Sequence, residues 1–125
     1  MKAQSLRVDF EDSRGQIQDL IQDQNINAIT KITFVKGAVR GNHFHKKTIQ
    51  WNYLISGKVL LVTQYGEKNK DEIILNPGDL VSTSINESHA IKALEDSVLL
   101  VFTEGPRGGK EYESDTYKLD EPLII

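Results

Sequence analysis

The sequence predicts an all-β protein folded as one domain, and three observations carry that reading. Short apolar runs alternate with polar residues at period two, and turn signals recur about every eight to twelve residues. The middle of the chain shows no apolar period of a helix. Short strands at such spacing are those of a sandwich or barrel. With 125 residues the chain is long enough to bury one hydrophobic core.

Taken in order, Leu6, Val8 and Phe10 alternate with polar residues and read as a short strand. Asp12-Ser13-Arg14-Gly15 has turn chemistry, and Ile17 to Ile21 resumes an extended or mixed segment. Ala28 to Val35 is a clearer strand, with Ile32 and Phe34 on one face and Lys31, Thr33 and Val35 on the other. Gly37 breaks it and Val39 to His45 follows. Lys46-Lys47-Thr48 reads as a charged hairpin turn into a strand from Ile49 to Ser56, which Gly57 ends. Lys58 to Tyr65 is expected to pair with Glu72 to Leu75 across the polar turn Gly66 to Lys70. Asn76-Pro77-Gly78-Asp79 is a strong turn signal, after which Leu80 to Thr83, His89 to Leu94 and Val98 to Thr103 complete the strands. These bounds place a core at about residues 28–103 and a tail at 104–125. Gly105 to Lys110 reads as an irregular loop and Tyr112 to Ile125 as a docked terminus. A flap over the barrel mouth and an arm onto a second subunit are the other readings of that tail.

Composition excludes several classes of function. The net charge of −3, with no basic stripe carrying aromatics, gives no footprint for nucleic acid. No apolar run is long enough to cross a bilayer, so no membrane partner is expected. The first residues, MKAQSLRVDFEDS, lack the apolar centre of a signal peptide, which makes the cytoplasm the expected compartment. The chain has no cysteine, so disulfides and thiolate chemistry are excluded and any metal is held by nitrogen and oxygen.

Chemistry concentrates between Gly37 and Gly57. His43 and His45 are two apart, so on a strand both imidazoles project into one space. Gln50 and Asn52 share a strand face, and Asn52 reads either as a substrate contact or as a hydrogen-bonded core amide. Trp51, Tyr53 and Ile55 fall on the opposite face, an apolar stripe suited to packing or to a homodimer contact. Arg40 can clamp a phosphate or carboxylate, or be a solvated strand-end arginine. Arg107 and Lys110 are further candidates for an anionic ligand.

The spacing Gly37-x5-His43-x-His45-x4-Gln50-x6-Gly57 resembles the first signature of the cupin superfamily, with glutamine where glutamate is usual. Pro77-Gly78-Asp79, with His89 eleven residues after Gly78, resembles the second, although Ser84 and Asn86 stand where proline and glycine are expected. The resemblance implies a double-stranded β-helix, or jelly-roll barrel, in which His43, His45, Gln50 and His89 converge and hold a divalent metal ion. Three imidazoles and an amide oxygen suit zinc, nickel, iron, manganese or cobalt. A glutamine in place of glutamate removes one negative charge from the shell and is expected to weaken the hold on the ion.

Within the cupins, Arg40-Gly41-Asn42-His43-Phe44-His45-Lys46-Lys47 resembles the nucleotide-sugar 3,4-ketoisomerases and, more distantly, the rhamnose-pathway 3,5-epimerases of RmlC type. Asp12 to Gly15, Trp51 to Gly57 and the strand Asp96 to Val101 extend the likeness. It implies a part in deoxysugar or polysaccharide biosynthesis, a sugar or nucleotide-sugar substrate, and His43 and His45 as an acid–base pair. Thr30 to Val35 departs from the ketoisomerases in carrying no tyrosine. Three readings follow: a metal-dependent cupin acting on a small oxygenated metabolite, a metal-free nucleotide-sugar isomerase, and a non-catalytic cupin that binds a sugar or anion.

Overall fold

The computed structural model describes residues 1–107 and 109–125. Its elements are β1 (Lys2–Ala3), β2 (Phe10–Asp12), β3 (Gly15–Ile17), β4 (Ala28–Phe34), β5 (Val39–Phe44), β6 (Ile49–Ser56), β7 (Val59–Tyr65), β8 (Asp71–Leu75), β9 (Leu80–Thr83), β10 (Glu87–Ala93), β11 (Ser97–Glu104), α1 (Gly109–Ser114) and β12 (Tyr117–Lys118). Two five-stranded sheets, ordered β1-β9-β6-β11-β4 and β12-β5-β10-β7-β8, face each other, and β2-β3 forms a separate ribbon. All pairings are antiparallel. From β4 onward the chain crosses between sheets at nearly every connection, the β7–β8 hairpin being the exception. This is the expected all-β jelly roll.

Alternation explains the core. Every second residue of β11 is buried, and Phe34, Leu54, Val59, Leu61, Leu75, Val81, Ala93, Leu99 and Val101 meet between the sheets. The expected β7–β8 pairing is present, with Val59 opposite Leu75 and Thr63 opposite Asp71.

Four expectations are corrected. Lys46-Lys47-Thr48 is no hairpin, because β5 and β6 belong to different sheets and the segment turns a corner between them. The corner is held from the tail, where Asp115 accepts from the Lys46 and Lys47 amides and from Thr48 Oγ1. Leu6 and Val8 lie outside any strand, and β2 begins only at Phe10. Trp51 is buried, flanked in register by Ser82 and Phe102, so it offers no exposed face to a second subunit; of its stripe only Ile55 is exposed. Finally, Gly109 and Lys110 open α1 instead of continuing the loop, while Gly108 lies outside the described residues.

The tail docks along β5. Tyr117 and Lys118 pair with Phe44 and His43, and the Tyr117 ring stacks on Phe44 at 5.2 Å. Asn42 Oδ1 accepts from the amides of Leu123 and Ile124 at 2.8 and 3.2 Å, and Asn42 Nδ2 donates to the Ile124 carbonyl at 2.9 Å.

Candidate functional site

The site forms where β5, β6 and β10 converge. His43 is the last residue but one of β5 and sits opposite His89 of β10, and His45 follows just beyond the strand. One ring nitrogen from each of His43, His45 and His89 lies within 4.8 Å of the other two. Ring centroids are separated by 4.8 Å for His43–His45, 4.7 Å for His43–His89 and 5.4 Å for His45–His89.

Local backbone geometry makes this approach possible. Gly41, at φ +93°, lies against β10 so closely that a Cβ there would stand 2.9 Å from the His89 carbonyl oxygen. The β5–β10 register shifts where His89 faces His43 and Ala90 faces Gly41; the extra residue is Asn42 of β5, at φ +57°, a bulge that bends β5 just before His43. Asn86, where the second signature expects glycine, has φ +64°, and asparagine is among the few residues that accept this conformation readily. Its amide donates to the His45 carbonyl at 2.7 Å, joining the turn before β10 to the corner after β5.

Two ring orientations are set by the backbone. His45 Nδ1 lies 2.9 Å from the Asp115 carbonyl, and His89 Nδ1 lies 3.2 Å from the Glu87 carbonyl. A carbonyl only accepts, so each Nδ1 carries the proton and each Nε2 keeps its lone pair. His45 Nε2 is buried without a hydrogen-bond partner. An orphaned imidazole lone pair beside two further imidazoles is the donor set a divalent transition metal requires, and a backbone carbonyl behind each ring is the support such ligands use. The residues present therefore fit the ion.

All three imidazoles are held neutral. Burial lowers the His43 pKa to about 4, assisted by the neighbouring His45 and Arg107 charges. Burial also lowers His45, against the opposing pull of the Asp115 carbonyl and carboxylate. His89 is pushed well below its ordinary value by burial and by the other two histidines.

A cavity of about 460 Å³ opens beside the cluster. His43, His89, Gln50 and Asn52 line it, whereas His45 is buried and does not line it. The Asn52 Nδ2 donates to the Val81 carbonyl at 3.1 Å, so Asn52 is both a bonded core amide and a cavity residue. Ile32, Phe34, Ile91, Leu99 and Val101 supply an apolar wall continuous with the core. Lys31, Arg40 and Arg107 stand at the rim, and among the described residues no acidic side chain lines the cavity. In a chain of net charge −3 this is a local field of the opposite sign.

The tail supplies two features that sequence reasoning missed. Tyr112 lines the cavity, its ring 5.3 Å from His45 and 4.1 Å beneath the Arg107 guanidinium carbon. Asp115 is buried and accepts from the amides of Lys46 and Lys47 at 3.0 and 3.1 Å and from Thr48 Oγ1 at 2.7 Å. No local pattern marks either residue, since their partners lie some 67 to 70 positions earlier in the chain. Lys110 is exposed and does not line the cavity.

Two facing antiparallel sheets enclosing an imidazole cluster at one end define the class of the protein. The chain belongs to the cupins: residues 30–103 match the Cupin domain family. None of the curated proteins matches it in sequence at a significant level. Among solved structures, a sugar 3,4-ketoisomerase, QdtA from Thermoanaerobacterium thermosaccharolyticum in complex with TDP, superposes with a TM-score of 0.74 at 22% identity, covering 93% of this chain and 88% of that one. The dTDP-4-dehydrorhamnose 3,5-epimerase from Sulfolobus tokodaii gives 0.73 at 19% identity, covering 91% and 77%. The capsular polysaccharide assembling protein CapF from Staphylococcus aureus gives 0.68 at 19% identity; the match covers 94% of this chain but only 35% of CapF. These likenesses establish a common fold. No helix among the described residues is long and apolar enough to cross a membrane.

Proposed function

We propose that this cupin is an enzyme acting on a nucleotide sugar or a related anionic sugar, as an isomerase or epimerase, with a divalent metal ion held by His43, His45, His89 and Gln50. The observation that carries the reading is the joining of three neutral imidazoles to a cavity with a basic rim and no acidic lining. The epimerase neighbour is named for a dTDP-sugar and the ketoisomerase neighbour holds TDP, and ligands of that class match such a cavity in charge.

The bound ion supplies Lewis-acid polarisation of a carbonyl or hydroxyl oxygen. The chain supplies the rest. Lys31, Arg40 and Arg107 neutralise the anionic end of the substrate at the rim. Asn52 offers its free Oδ1 to a sugar hydroxyl, since its Nδ2 is committed to Val81. The apolar wall excludes water from the reacting carbon. His43 lines the cavity and His45 does not, so of the two proposed acid–base groups His43 alone reaches substrate directly. Imidazoles held neutral by burial are better ligands than acids at neutral pH, which favours the metal over the metal-free acid–base reading.

The test is elemental analysis of protein purified without tag or chelator, alongside His45→Ala, followed by incubation with nucleotide 4-keto-6-deoxyhexoses in D₂O. Near-stoichiometric metal lost in the variant, with metal-dependent exchange of a sugar C–H for deuterium, is the expected result. Protein that stays metal-free after loading with zinc, nickel, iron and manganese overturns the metal assignment. Absence of exchange by the loaded protein across the sugar panel overturns the isomerase assignment.

A further inference from the structure

The inner faces of the two sheets change from apolar to polar at one level of the barrel. On the first sheet Leu54, Val81 and Val101 belong to the core, and the same strand faces continue at period two to Gln50, Thr83 and Thr103. Gln50 stands in register between Thr83 on one side and Thr103 on the other. All three are buried, Thr103 completely. On the facing sheet Thr63 continues the inner row of Val59 and Leu61 and stands opposite His89.

Among the described residues, three buried side-chain polar atoms lack a hydrogen-bond partner, His45 Nε2, Thr63 Oγ1 and Thr103 Oγ1, and all three belong to this polar level or to the imidazole cluster. Buried hydroxyls are ordinarily bonded, and one left over beside a binding site calls for a partner that the site supplies. Thr103 does not line the cavity, so that partner is a side chain of the site and not a ligand in the cavity.

Gln50 has the complementary need. A carboxylate accepts at either oxygen, whereas a carboxamide accepts at Oε1 only and donates from Nε2. Gln50 therefore serves an ion only when its amide is turned one way, and its Nε2 protons then need an acceptor elsewhere. Directly opposed residues on neighbouring antiparallel strands have Cβ atoms about 4.5–5.5 Å apart, a gap that a threonine hydroxyl and a glutamine carboxamide bridge. A hydroxyl accepts as well as donates.

We infer that, on the metal reading proposed above, Thr103 is the positioning residue for Gln50: its Oγ1 accepts from Gln50 Nε2 and so turns Oε1 toward the imidazole cluster. Of the two flanking threonines Thr103 is assigned because its hydroxyl is sealed from solvent without a partner. It acts through Gln50 and touches neither ion nor substrate.

Thr103→Val keeps the branched shape and removes the hydroxyl. It leaves untouched the Thr103 carbonyl that accepts from the Asn27 amide at 2.9 Å. In the metal-free protein it deletes an unpartnered buried group, so the urea midpoint is expected to hold or rise. Zinc affinity, measured by titration against a competing chelator, is expected to fall about tenfold. Thr103→Ser, which keeps the hydroxyl, is expected to bind zinc like the parent. Combined with Gln50→Glu, where either oxygen can face the ion, Thr103→Val is expected to lose much less. Thr63→Val deletes the matching hydroxyl opposite His89, whose Nδ1 is already bonded to the Glu87 carbonyl, and is expected to leave zinc affinity unchanged. Zinc bound alike by the parent and Thr103→Val, an equal loss in Thr63→Val, or a loss undiminished by Gln50→Glu overturns the positioning role and leaves the metal reading standing. A parent that binds no zinc overturns both.

Discussion

The Asp115 carbonyl accepts the His45 Nδ1 proton at 2.9 Å, while the carboxylate of the same residue ties down the three residues that follow His45. One tail residue thus fixes both the ring and the corner that carries it. Burial works against ionisation of Asp115, but the bonds from Thr48, Lys46 and Lys47, with help from His45, outweigh it and hold its pKa below the usual carboxylate value. Asp115→Ala leaves two amides and a hydroxyl short of an acceptor and is expected to cost about 1–3 kcal/mol of stability. On the proposed metal reading it also lowers zinc affinity roughly 10- to 100-fold, as loss of support behind a ligand does. Urea unfolding and a competitive zinc titration read the two effects separately.

The neutral histidine cluster gives stability a definite pH dependence. In the unfolded chain each imidazole takes a proton near its ordinary pKa of about 6.5. In the folded chain His43 resists until about 4, and His89 is also pushed well down. Between those values the unfolded state binds more protons, so stability falls as pH falls through the window and is flat above it as far as these groups are concerned. Chelator-treated protein is expected to show a urea midpoint that drops from pH 7 to pH 4.5. The drop becomes smaller in His89→Asn, which titrates one group fewer.

Arg107 and Tyr112 act as a unit at the rim, the guanidinium lying over the ring while its Nε donates to Thr30 Oγ1 at 3.2 Å. The ring holds a cation that faces the cavity, so Tyr112→Ala is expected to weaken an anionic ligand by loosening Arg107, with Tyr112→Phe retaining most of the affinity. Stacked, partly desolvated cation–π contacts contribute about 0.5–2 kcal/mol, or a factor of roughly 2 to 30 in affinity. Calorimetric titration with TDP compares the variants. Equal loss in both would assign the effect to the hydroxyl instead of the ring.

Much of this was legible in the sequence. The alternation from Ala28 to Thr103 and the turn at Asn76 to Asp79 placed the main strands, and the spacing of His43, His45 and His89 foretold that the three imidazoles meet. What escaped was what depends on the second sheet and on the tail. Lys46 to Thr48 looks locally like any short polar turn, and only the crossing between sheets makes it a corner. Tyr112 and Asp115 carry no periodic or motif signal because their partners are distant in sequence. Trp51 shows the complementary failure: strand parity put it outside the barrel, but parity does not reveal what else folds against that face.

Gln50 sets the charge of the cluster. It is buried on β6 and lines the same cavity as His43 and His89, which no carboxylate lines among the described residues. Gln50→Glu adds a negative charge to the proposed shell and is expected to tighten zinc by at least about tenfold, or ~1.4 kcal/mol. In the metal-free protein the same substitution buries an unpaired carboxylate and lowers stability. The opposite signs of the two effects, read by thermal unfolding with and without zinc, distinguish an ion-binding role for Gln50 from a purely structural one.

Gly41 and Gly37 together allow the His43–His89 approach to be tested without touching a histidine. Both have positive φ, +93° and +88°, so alanine at either position meets comparable backbone strain of about 1–2 kcal/mol. They differ in their surroundings. A Cβ at Gly37 meets nothing within 4 Å, whereas at Gly41 it stands 2.9 Å from the His89 carbonyl oxygen and 3.2 Å from the Ala90 Cα, neither of which can swing aside as a flexible side chain does. Gly41→Ala must therefore push β10 from β5 just where His89 faces His43. It is expected to lose more stability than Gly37→Ala by about 1 kcal/mol or more. It is also expected to weaken zinc binding, which Gly37→Ala leaves intact. If the two variants bind zinc alike, close β5–β10 contact is not what brings the imidazoles together.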